Sequence, residues 1–145
     1  MEPMAEAEND FVKRVEALAE QDGRYRKEAY LFLYAALEYT VRRLGRDKAQ
    51  TQAERHVTGQ ELSRGVAEFA REQYGPMARP VLEHWGVRRT RDFGEMVFLL
   101  VNAGMMSKTE QDRIEDFADV YDFGKEFDWR RRGRQKIDLK NIKNM

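Results

Sequence analysis

Apolar positions recur at intervals of three and four residues along most of this 145-residue chain, which predicts a mainly α-helical protein. The clearest case is Thr90 to Gly104, where Phe93, Met96, Val97, Leu100 and Val101 fall on one side of a helical wheel and Arg91, Asp92, Glu95 and Asn102 on the other. A shorter helical stretch, Met77 to Trp85, precedes it and closes at Gly86. Pro80 fits that stretch only in a first turn, which puts the start near Arg79. After Gly104, Ser107-Lys108-Thr109 and Phe117 to Phe123 suit two strands of a small hairpin, with Phe117, Tyr121 and Phe123 on one face. The same region satisfies helical spacing at Ile114, Phe117, Ala118 and Tyr121. Helix, tight turn, helix and hairpin in this order predict a winged-helix-like trihelical unit.

Upstream, Phe11, Val15 and Leu18 predict a helix capped by Asn9 or Asp10 and running to about Glu20, with residues 1–8 frayed before it. Arg24 to Leu44 is the strongest helix. Tyr30, Leu33, Leu37, Val41 and Leu44 form one stripe, while Phe32, Tyr34, Ala35, Ala36 and Tyr39 carry apolar surface around most of the cylinder. Such a helix needs neighbours on more than one side, as a central pillar or as a dimer surface. Gly45 ends it, and Arg46 to Arg55 reads as a polar loop. Thr58 and Glu61 then form a capping box behind Val57, opening a helix through Leu62, Val66, Phe69 and Ala70 that stops at Tyr74-Gly75-Pro76. Thr90 is expected to cap the next long helix, and Gly94 inside it implies close approach by another backbone.

Composition adds limits. Cysteine is absent, which removes disulfides, thiolate metal sites and cysteine nucleophiles. The start of the chain, MEPMAEAEND, lacks the basic-then-apolar order of a signal peptide, and no apolar run reaches the ~18 residues of a membrane span, so a cytoplasmic location is expected. Zero net charge conceals an asymmetry: residues 130–145 carry +6 and the rest −6. The expected organisation is one domain over residues 1–129 followed by a flexible basic tail over 130–145.

The segments RYxxEAYxF from Arg24, ALEYTxRRLG from Ala36, HVTGQEL from His56, YGPMA from Tyr74, VLxxWGxxxTxDFGxxVFxLVxAG from Val81, KTxxD from Lys108 and DFxxVYDF from Asp116 together cover about residues 24–127. In these segments the chain resembles an uncharacterised small bacterial family, met chiefly in planctomycete and verrucomicrobial genomes. No activity or ligand is established for that family, so the resemblance implies no site residues, and the tail lies outside it.

Candidate chemistry is sparse. His56 and His84 match no metal-binding or triad spacing, and neither a glycine-rich phosphate loop nor a nucleophile elbow occurs. His56 reads as a loop residue making local hydrogen bonds and His84 as a helix-end residue. Asp112, Asp116, Asp119 and Asp122 do not follow a calcium-loop spacing. No catalytic residue, cofactor, metal or small-molecule substrate is therefore expected. The outer face of the Thr90 helix offers Arg91, Asp92, Glu95, Phe98, Leu99 and Asn102. Two acids and two large apolar groups suit a protein contact better than a DNA groove. Arg88, Arg89 and Arg91 can meet phosphates at the turn, and Trp129 with Arg130, Arg131, Arg132, Arg134 and Lys136 combines an aromatic with clustered charge suited to RNA or DNA. The expectation is a non-catalytic binding or regulatory protein acting through protein–protein contacts or self-association, with a nucleic-acid-associated factor using the basic tail as the alternative.

Overall fold

The computed structural model describes residues 1–3 and 8–130 and is mainly helical. Five longer helices form the body: α1 (Glu8–Asp22), α2 (Lys27–Arg43), α4 (Gly59–Tyr74), α5 (Ala78–His84) and α6 (Thr90–Asn102). Two single-turn helices, α3 (Gln52–Arg55) and α7 (Phe123–Glu126), complete the set. No helix among the described residues is long and apolar enough to cross a membrane.

α2 is the pillar that its apolar surface demands. Tyr30, Leu33, Ala36 and Leu37 are fully buried, with α1 on one side and α4 on another. The capping box at the start of α4 is present: Thr58 Oγ1 accepts from the Glu61 amide at 3.1 Å, and Glu61 Oε1 accepts from the Thr58 amide at 3.0 Å. Val57 beside it is buried, Gly75 leaves α4 with φ +52°, and Pro80 sits in the first turn of α5.

Several expectations fail for identifiable reasons. No hairpin spans 107–123. Met106–Ser107 (β2) pairs antiparallel with Glu2–Pro3 (β1), while Ile114–Phe117 forms a 3-10 turn and Phe123–Glu126 the short α7. The aromatic spacing that resembled a strand serves separate anchors. Phe117 lies over Gly59 and Gly94, where an added Cβ at either would come within 3.0 Å of it or its neighbour Asp116, and Asp122 caps α7 by accepting from the Lys125 amide. The tight neighbour of Gly94 is thus an aromatic ring, not a backbone. The fold is mainly α without a wing in this stretch.

The chain start is not frayed at residues 1–3. Met1 is 1% exposed; its ammonium donates to the Val57 carbonyl at 3.0 Å and lies 2.7 Å from His56 Nδ1. Thr90 is the first residue of α6 and does not cap it. Asp92 caps instead, Oδ2 accepting from the Arg88 and Arg89 amides, while the buried Thr90 hydroxyl donates to the Phe117 carbonyl at 2.6 Å and accepts from the Val120 amide at 3.2 Å. Phe127 docks in the core; Trp129 does not.

Candidate functional site

The turn between α5 and α6 needs Gly86 at φ +95°, because its Cα faces the Arg24 carbonyl, where a Cβ would lie 2.4 Å away. This fixed turn presents Arg88 and Arg89 to solvent, and the opposite wall is the chain from Ala118 to Gly124, held to α6 by the Thr90 hydroxyl. Between them lies a cleft of about 430 Å³ lined by Arg79, Arg88, Arg89 and Arg91 on one side and by Asp119 and Asp122 on the other. Arg79 and Arg91 have acids one turn along their own helices, Glu83 at 3.5 Å and Glu95 at 3.4 Å. Among the described residues the Arg88 and Arg89 guanidinium groups form no ion pair within 4.0 Å, although Asp92 accepts from both backbone amides. The three arginines expected from the sequence therefore meet at one place. Arg79, Asp119 and Asp122 join them only through the fold, since nothing in their spacing marks them.

The second surface is aromatic. Phe32 on α2 has the rings of Phe69, Tyr74 and Trp85 at 5.2, 5.9 and 5.5 Å, and Tyr39 continues the row to Phe69 at 5.1 Å. Phe32 is buried, the other four are half-buried, and Met77 near them is 57% exposed. A hollow of about 490 Å³ opens in this face between Ala35, Glu38, Tyr39, Arg42, Arg43 and Phe69. The Tyr39 hydroxyl donates to Glu68 Oε1 at 2.8 Å, and Arg43 Nε reaches the same oxygen at 2.8 Å. Burial and the Glu68 carboxylate hold the Tyr39 phenol above its ordinary range. The sequence leaves Phe32 and Tyr39 open between a pillar and a dimer surface and does not group them with Phe69, Tyr74 and Trp85; the α2–α4 crossing brings the five together with Phe32 buried and the others half-buried.

Phe98 and Leu99 are half-buried and pack against the core, with Lys108 Nζ 5.9 Å from the Phe98 ring centre, so they form a weaker exposed patch than their wheel positions imply. Trp129 is 57% exposed and is the sole aromatic in that class among the described residues; Arg130 beside it is exposed. Arg131, Arg132, Arg134 and Lys136 lie outside the described residues. His56 has both ring nitrogens engaged, Nδ1 by the Met1 ammonium and Nε2 by Asp112 Oδ1 at 3.1 Å, and so ties the chain start to the 109–112 turn. His84 is exposed at the end of α5.

Comparison with models of known families, with curated proteins and with solved structures finds no match.

Proposed function

We propose that the chain is a non-catalytic binding protein that works through protein–protein contacts, and that the aromatic face of α2 receives a second copy of the chain. The observation that carries this reading is the outer stripe of α2: Glu28, Leu31, Ala35, Glu38 and Arg42 recur at alternating steps of three and four beside the aromatic hollow. Leu31 is half-buried, while Ala35, Glu38 and Arg42 are exposed. Interfaces favour aromatics, methionine and arginine around a small apolar centre, which is the composition found here. A two-fold axis at Ala35 with the helices antiparallel sets Ala35 against Ala35, where the small side chain permits close approach. It also sets Leu31 of each copy against Tyr39 and the hollow of the other, and Glu28 against Arg42. Lys27 then meets Arg43, whose charge Glu68 already offsets at 2.8 Å.

Sedimentation equilibrium on the full chain tests this. A dimer that Ala35→Arg converts to a monomer of unchanged helicity supports it, and a wild-type monomer across the accessible concentration range contradicts it. A second reading, an arm for RNA or DNA, is favoured by the exposed Trp129 at the head of the basic run. It predicts binding that weakens by about 0.7–0.9 log units per phosphate contact per log unit of salt and disappears on truncation after Phe127.

A further inference from the structure

We infer that the arginine-lined cleft between α5, the start of α6 and the 118–124 segment binds a small phosphomonoester whose other end carries hydroxyl or amino groups. This goes beyond the protein-contact reading and uses a different surface.

Guanidinium forks match phosphate oxygens in pairs, and two of the four here, those of Arg88 and Arg89, form no ion pair with an acid within 4.0 Å among the described residues. Exposed arginines are ordinary; arginines from two helices and the turn between them converging on a hollow are less so. The attraction is the guanidinium groups and not the turn's backbone, because the Arg88 and Arg89 amides are already taken by Asp92. The hollow, at about 430 Å³, falls in the size range of small-molecule sites.

The acids on the far wall decide the rest of the ligand. Asp122 shares one carboxylate oxygen with the Lys125 amide, and Asp119 is held with φ +50° on the rim. Gly124, at the end of the second wall, brings the two walls together: a Cβ there would stand 3.4 Å from Arg79 Nη1 and 3.0 Å from Asp122 Oδ2. A continuous phosphate backbone crossing the cleft would run into these carboxylates. A compact molecule with its phosphate at the arginines and hydrogen-bond donors at Asp119 and Asp122 satisfies both walls.

Titration calorimetry on the full chain with ribose 5-phosphate, ribose, inorganic phosphate and a single-stranded oligothymidylate tests the assignment. Ribose 5-phosphate should bind at one site per chain, inorganic phosphate should compete with it more weakly, and ribose should not bind. Arg88→Gln with Arg89→Gln should lower affinity for both phosphate probes by about tenfold or more. Asp119→Asn, which suits the same backbone conformation, should weaken ribose 5-phosphate while leaving inorganic phosphate unaffected. Thermal unfolding of each variant at the wild-type midpoint shows that the fold is intact. Absence of saturable binding, binding indifferent to the arginine changes, equal effects of Asp119→Asn on both probes, or an oligothymidylate that displaces ribose 5-phosphate would each overturn the assignment.

Discussion

Gly65 on α4 faces Thr40 on α2 so closely that a Cβ at Gly65 would stand 1.8 Å from Thr40 Oγ1 and 2.9 Å from Thr40 Cβ. The Thr40 hydroxyl is turned back onto its own helix, donating to the Ala36 carbonyl at 2.7 Å, so the two backbones meet across a glycine and a folded-in threonine. Gly65→Ala should therefore destabilise by about 1–3 kcal/mol, although alanine in an open helix would gain about 0.5–1 kcal/mol. Thr40→Ala in the same chain should recover part of the loss. Denaturant midpoints for the two variants check the crossing.

The Arg46–Glu61 pair gives a pH-dependent prediction. The Arg46 guanidinium, with Nη1 and Nη2 each 2.8 Å from a Glu61 oxygen, holds that carboxyl below its ordinary value of 4.5, and the Thr58 amide adds to the effect. Because the folded-state value is depressed, the unfolded chain binds more protons in the window just below 4.5. The stabilisation is then fully present above that value and is lost as pH falls through the folded-state value. Arg46→Ala should lower stability by about 1 kcal/mol at neutral pH, with the gap from wild type closing in acid; urea midpoints across pH measure it.

Thr90 is buried and bonded through one hydroxyl to both Phe117 and Val120. Thr90→Val keeps the shape and leaves a carbonyl and an amide unpaired, at a cost of about 1–3 kcal/mol. Hydrogen exchange should show the 118–124 segment opening more often in this variant.

Tyr30 is fully buried, and its hydroxyl has no hydrogen-bond partner among the described residues; burial pushes the phenol up to about 12. Tyr30→Phe removes a desolvated polar atom without opening a cavity and should raise stability by about 1 kcal/mol. A lower melting temperature would mean that the hydroxyl is satisfied in solution.

Much of this architecture is legible in the residues. The α2 stripe as far as Leu37, the Thr58–Glu61 box, the glycine stops at Gly45, Gly75, Gly86 and Gly104, and the core face of α6 each follow from local periodicity or backbone preference, and each is present, whereas Val41 is half-buried and Leu44, past the end of α2, is exposed. The region after Gly104 resists such reading because its order comes from distant partners: β2 pairs with residues 2–3, and Phe117 fits spaces left by Gly59 and Gly94. The same holds for the candidate sites. Arg88, Arg89 and Arg91 stand out as a cluster, whereas Arg79 and Asp119 reach the cleft only when α5 and the 118–124 segment fold beside it. The tail arginines 131, 132 and 134 lie outside the described residues.

Charge reversal across the proposed α2 contact tests the central claim most directly. Glu28→Arg alone and Arg42→Glu alone each place like charges together twice in a two-fold pair, whereas the double variant restores both attractions with their signs exchanged. Sedimentation equilibrium should show each single variant dissociating at concentrations where wild type is dimeric, and the double variant should return to the wild-type state. Single variants that associate as well as wild type, or a double variant as monomeric as the singles, would contradict the claim that α2 pairs with itself.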